Sequence, residues 1–154
     1  MGSFATAVQS RLRERLAVLR PGFDWKTEHH VATTPVDVAG RADDHVALVE
    51  LEWRRADPAN NTAKLFRHLD EETLAADAVD VFQLFTGYYD LTSGGVSSKR
   101  LNAEFVGRIG TQALDSFRYR TVDFVLDPPK RGGDRPDDWE AATDATAREI
   151  ADYL

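Results

Sequence analysis

The sequence has no cysteine, which excludes disulfides, thiolate zinc sites and cysteine nucleophiles and is compatible with a reducing compartment. It also lacks long apolar runs. No window approaches the roughly 20 apolar residues of a membrane span, and the stretch up to Arg20 carries several arginines instead of an apolar core. A soluble, cytoplasmic protein is expected. Positive charge is scarce: the formal net charge is -7 and the sequence pI is about 5.0. That balance argues against a protein that coats nucleic acid, because phosphate affinity depends on clustered Lys and Arg, but it leaves room for a local basic cleft. The basic residues are mostly Arg and the acidic ones mostly Asp, a bias that a GC-rich genome or a salt-adapted proteome would produce. Internal repeats and low-complexity segments are absent. What the chain does have is 154 residues, 42% of them hydrophobic, enough for one domain spanning residues 1–154 with a real core.

The most informative stretch is V-A-L-V-E-L-E-W, Val46 to Trp53. Val46, Ala47, Leu48, Val49 and Leu51 form the apolar run of a strand buried on both faces, a setting that normally excludes charge. Strand side chains repeat with period two, so Glu50 and Glu52 share one face and Leu51 and Trp53 the other. Desolvating one unpaired carboxylate costs several kcal/mol, roughly. Two on one face therefore imply a partner: a cation, arginines or a shared proton. A divalent metal is the expected one.

Taken in order, Ser3 to Leu19 reads as a helix with Phe4, Val8, Leu12, Leu16 and Leu19 as its apolar stripe, ended by Pro21-Gly22. Glu14 lies opposite the stripe, and Arg11 and Arg15 flank it as an expected solvated face. Phe23 to Val31 reads as a strand. Its His29 and His30 point to opposite faces and so are expected at an edge and not as joint ligands, while Glu28 is a possible extra carboxylate. Val36 to Ala39, ended by Gly40, is a second strand, and polar Arg41 to Asp44 makes it a hairpin with the third, which brings Asp37 beside the Glu50/Glu52 face. Asp57-Pro58 and Asn60-Asn61 read as loop, followed by a helix from about Thr62 to Ala76 whose apolar side includes Leu74. Val79 to Tyr88 is a fourth strand, with Gln83 a lone buried glutamine. A helix from Ser97 to about Leu114 follows, with Gly107 and Gly110 allowing close packing. Then come a fifth strand from Tyr119 to Leu126, a Pro/Gly/Arg-rich loop from Pro128 to Pro136, and a final helix from Asp138 to Leu154. This order predicts an α/β sandwich with a mixed central sheet.

Helix, three strands, helix, strand resembles the core order of the PD-(D/E)XK nuclease superfamily, the restriction endonuclease-like fold. The resemblance covers about Ser3 to Tyr88, with a C-terminal αβα extension. Pro35-Val36-Asp37 matches the family's Pro-Asp on the second strand with one residue inserted, and Glu50-Leu51-Glu52 matches its acidic-x-Lys on the third with Glu52 in the lysine's place. The resemblance implies metal-dependent phosphodiester hydrolysis of nucleic acid, with DNA the expected substrate. Asp37, Glu50 and the carbonyl of Leu51 would hold Mg²⁺ or Mn²⁺, and hard oxygen donors suit such an ion. Glu52 would accept the proton of the attacking water or bind a second ion. Lys64 on the following helix would supply a positive group, and Arg54 or Arg55 would hold substrate phosphate. A homodimer is implied for cutting both strands. The rival reading is a non-catalytic descendant of the same fold that binds nucleic acid or protein, with the two glutamates paired to Arg54, Arg67 or Arg108. An acidic interaction module of the immunity type is a third.

Overall fold

The computed structural model describes residues 2–71 and 76–154. Its elements run α1 (Ser3–Leu19), β1 (Asp24–Val31), β2 (Thr34–Arg41), β3 (His45–Glu52), α2 (Pro58–Glu71), β4 (Ala78–Thr86), a 3-10 turn (Gly87–Tyr89), α3 (Ser98–Ala113), β5 (Phe117–Phe124) and α4 (Trp139–Tyr153). The α-β-β-β-α-β order is thus present. The five strands lie in sequence order in one mixed sheet. β1, β2 and β3 are antiparallel neighbours, and β4 and β5 run parallel to β3.

Helices cover both faces. Alternate residues of β3 divide between two cores: Ala47, Val49 and Leu51 pack with Val8, Leu12 and Leu16 of α1 and with Ala147 and Ile150 of α4. Val46 and Leu48 pack with Leu65, Phe66 and Leu69 of α2. Glu50 and Glu52 continue the second row, so the period-two alternation carries both glutamates to the α2 side. α3 lies close beside α2 and β5 because Gly107 and Gly110 have no side chains: a Cβ would come within 2.4 Å of the Tyr119 ring at Gly107 and 2.6 Å of the Phe66 ring at Gly110. Among the described residues no helix is long and apolar enough to cross a membrane.

Several boundaries differ from the sequence expectation. Gly40 does not end β2. It pairs with Trp25 and Ala47 inside the sheet, and its missing side chain makes room for the Trp25 ring, 2.6 Å from where a Cβ would sit. α2 starts at Pro58 and not at Thr62. Pro58 is suited to a first helical position, and Asp57 accepts the Asn60 N–H at 3.1 Å as an N-cap does. Residues 72–75 of that expected helix, including Leu74, lie outside the described residues, and Ala76, its expected end, is not helical. β4 gives way to the 3-10 turn before Tyr88, where Gly87 N–H donates to the Leu126 carbonyl at 2.9 Å. Arg11 and Arg15 are not a solvated face either. Arg11 donates to both oxygens of Asp144 on α4 at 2.7 and 2.9 Å, and Arg15 lies 3.7 Å from the same carboxylate. The pair ties α1 to α4 and holds the Asp144 carboxyl below its ordinary value, chiefly through the Arg11 hydrogen bonds. His29 and His30 are exposed, and so is Glu28, whose backbone is left-handed at φ 52°.

Candidate metal and phosphodiester site

Asp37 sits where β2 parts from β3. Ladder pairing runs from Arg41↔Val46 to Val38↔Val49 and stops there. The Asp37 carboxylate then takes over from the backbone, accepting the Leu51 N–H at Oδ2 (2.7 Å) and the Gln9 side-chain amide of α1 at Oδ1 (2.5 Å). Continuing the register places Glu50 across from Asp37, and a hydrogen-bond interaction between the two carboxyls raises the Glu50 pKa and lowers that of Asp37. Burial raises the pKa of both. Glu50 is pushed well above the usual carboxylate range by burial first and then by the neighbouring charges of Asp37 and Glu52, while the Leu51 N–H partly offsets the rise at Asp37.

Glu52 is fully buried and held differently. Its Oε1 accepts the side-chain amides of Asn61 (2.8 Å) and Gln83 (2.9 Å). Its Oε2 has no hydrogen bond, and the Arg55 guanidinium lies 3.4 Å away as a charge partner. Burial raises the Glu52 pKa, against the opposing hydrogen bonds of Asn61 and Gln83. Gln83 is itself fixed: it is the β4 neighbour of Glu50 in the parallel register, and its carbonyl oxygen accepts the hydroxyls of Thr62 (3.0 Å) and Tyr119 (2.5 Å). Burial beside Glu104 and Glu52 keeps Tyr119 protonated. Tyr89 accepts the Arg55 N–H at 2.9 Å and donates to the Arg55 carbonyl at 3.2 Å, which anchors the turn after β3, and burial pushes its hydroxyl up to about 12.

Asp37, Glu50 and Glu52 thus lie within electrostatic reach of one another at one end of β3. Each glutamate keeps one buried oxygen without a hydrogen bond, Oε1 of Glu50 and Oε2 of Glu52. Among the described residues no three His, Cys, Asp or Glu side chains are gathered around one point as a ready metal centre. Asp37 and Glu50 remain as two neighbouring carboxyls, oxygen donors of the kind that suits Mg²⁺ with waters completing its shell. The orphaned Glu50 oxygen beside Asp37 is a hard donor of the kind such an ion takes.

The remaining residues named from sequence are placed elsewhere. Lys64 is exposed on α2 with no described contact to the carboxylates. Asn61, one turn earlier, reaches Glu52 instead. Arg54 lies over the Tyr88 ring at 5.1 Å, Arg67 lies 4.0 Å from Glu71, and Arg108 covers Phe105 at 5.9 Å. Among the described residues Glu52 pairs with Arg55 at 3.4 Å, and neither glutamate forms an ion pair with Arg54, Arg67 or Arg108. Sequence reasoning missed Asn61, because the Asp57-Pro58 helix start was read as loop, and Gln9, which falls three residues before Leu12 on the apolar stripe of α1 and is almost fully buried.

No family model and no curated protein matches the chain. A solved structure described as the EndoMS-dsDNA2 complex is similar to it, with 26% sequence identity over 79% of this chain and 44% of that chain and a TM-score of 0.43. The chain spans less than half the length of that structure's chain.

Proposed function

We propose that residues 1–154 form a metal-dependent nuclease domain that hydrolyses phosphodiester bonds of nucleic acid, with DNA as substrate, at the Asp37/Glu50/Glu52 end of β3. The observation that carries the reading is the pair of buried glutamates on one strand face, each with an oxygen lacking a hydrogen-bond partner. A fold under selection for stability alone would fill such positions with apolar side chains, since buried unpaired carboxylates are destabilising.

Asp37, Glu50 and the Leu51 carbonyl would hold Mg²⁺ or Mn²⁺. Such an ion, when bound, neutralises phosphoryl oxygens and acidifies water. The chain's own groups do the rest. The Leu51 N–H and Gln9 fix the Asp37 carboxylate in place. Asn61 and Gln83 occupy Oε1 of Glu52 and so leave Oε2 as the oxygen that takes a proton from the attacking water, a role its raised pKa suits. Arg55, 58% exposed and 3.4 Å from Oε2, offers its outer donors to a phosphate, and Arg54 beside it does the same. Lys64 is left as an outlying cation that substrate could recruit. Two copies related by a two-fold axis would cut both strands of a duplex.

A second reading has an observation of its own. The hydrogen-bond interaction between the Asp37 and Glu50 carboxyls lowers the cost of burying them, so a non-catalytic module with this fold could keep the pair without an ion. The test is cleavage of supercoiled and linear DNA, and of RNA, with Mg²⁺, Mn²⁺ or EDTA, using Glu50→Gln as control. Metal-dependent cutting that the variant loses is the expected result. No cutting with any metal moves the function to the binding module.

A further inference from the structure

A cavity of about 370 Å³ opens beside the C-terminal end of β3, between the start of α1 and the loop after β5. Phe4 and Trp53 give it aromatic walls, and Arg54, Lys130, Arg131 and Arg135 bring four cations to it. No carboxylate lines it, although Asp and Glu outnumber Lys and Arg by 26 to 19 in the chain. Among the described residues none of these four cations forms an ion pair with a carboxylate. Arg54 stacks on Tyr88 and Arg135 on Phe4 and Trp139, which hold the guanidinium groups without neutralising them. Lys130 and Arg131 lie on a tight turn closed by the Gly133 N–H to the Lys130 carbonyl at 2.8 Å, with Gly132 left-handed at φ 79°. The first turn of α1 contains no acidic residue and has no side-chain cap, so its free N–H groups add positive potential on the same wall. Four uncompensated cations with N–H donors around one concavity are chemistry for a phosphate.

We propose that this pocket binds a backbone phosphate of the nucleic-acid strand next to the one presented to the carboxylates, and so aligns the strand across the end of β3. The inference rests on the nuclease reading for its ligand. Arg54 links the two places: it lines the pocket and follows Glu52 by two residues, a separation of at most about 7 Å along the chain. The pocket also accounts for how an acidic chain can hold a polyanion, because the attraction is local and not global.

Binding of a fluorescein-labelled 20-nucleotide single strand and its duplex, measured by anisotropy in EDTA across a salt series, tests the proposal. The Lys130→Ala/Arg131→Ala double variant changes two exposed side chains and should fold, which a thermal melt verifies. It is expected to bind at least about 10-fold more weakly than wild type, with a salt slope smaller by about one phosphate equivalent. Lys26→Ala, at the opposite end of the sheet, should bind as wild type does, and inorganic phosphate at millimolar concentration should compete with the strand. In cleavage the double variant should raise KM and leave kcat unchanged. Equal binding by wild type and double variant, an equal loss in Lys26→Ala, or no binding by wild type overturns the proposal. Cutting that Glu50→Gln abolishes, alongside unchanged binding by the double variant, removes the pocket and keeps the nuclease. Binding lost in the double variant, without cutting by any form, keeps the pocket and removes the nuclease.

Discussion

Glu50→Gln is expected to stabilise the metal-free protein at alkaline pH. The Glu50 side chain is buried at 5% exposure, its Oε1 has no hydrogen bond, and the nearby charges of Asp37 and Glu52 disfavour its ionised form more than Arg55 favours it. A buried polar group left unsatisfied costs on the order of 1–3 kcal/mol, and more when charged. Glutamine keeps the volume and shape, and its amide can donate to Asp37 as the protonated glutamate does. For a domain of this size 1 kcal/mol moves Tm by about 2–4 °C. A gain of roughly 2–12 °C at pH 8 in EDTA follows from those figures. The pH dependence has a definite sign. Burial raises the folded pKa of Glu50, so the protein has its full stability below the unfolded value near 4.5 and loses some as pH rises through the raised folded value. The advantage of the variant should therefore be small at pH 4–5 and grow toward pH 8. Thermal melts of both proteins across that range measure it. Destabilisation of the variant by several kcal/mol at pH 8 would refute the reasoning, because it would mean that Glu50 is ionised and compensated by a partner.

Three further outcomes are expected. Mg²⁺ at a hundredfold excess over its Kd should stabilise wild type by about 2.7 kcal/mol and Glu50→Gln hardly at all, by thermal shift with Ca²⁺-free and EDTA controls. Gly107→Ala should lower stability by about 1–3 kcal/mol in urea titration, because the new methyl meets the Tyr119 ring 2.4 Å away. Asp144→Asn should lower the melting midpoint at neutral pH by removing the negative charge and one of the two oxygens that accept from Arg11. Since Arg11 depresses the Asp144 pKa, that stabilisation is present above the unfolded carboxylate range, and the difference between the two proteins should close as pH falls through the depressed value.

The strand period decided most of what was legible in advance. Alternation along Val46 to Glu52 placed both glutamates on one face, and the short polar turn Arg41–Asp44 put Asp37 against them, as the ladder from Arg41↔Val46 to Val38↔Val49 does. Gly107 and Gly110 marked the close helix contact. Less was legible where one residue type serves two purposes. Gly40 looks like a strand terminator in sequence but is a cavity for an indole, a distinction that only the Trp25 neighbour across the hairpin reveals. Asp57-Pro58 has the composition of a loop but is a cap followed by a first helical turn, so the helical placement of Asn61 is not evident from sequence. Arg11 and Arg15 looked solvated because their partner Asp144 is 133 residues away from Arg11 in sequence. The basic pocket was invisible for the same reason: Arg54 and the Lys130–Arg135 loop meet only after β5 is laid beside β4.

The most direct measurement is anomalous diffraction from crystals soaked in Mn²⁺. The expected result is a manganese peak bounded by Asp37, Glu50 and the Leu51 carbonyl, absent from Glu50→Gln crystals. Crystals that show the Asp37 and Glu50 carboxyls still hydrogen-bonded to each other at saturating Mn²⁺, with no peak between them, would contradict the account.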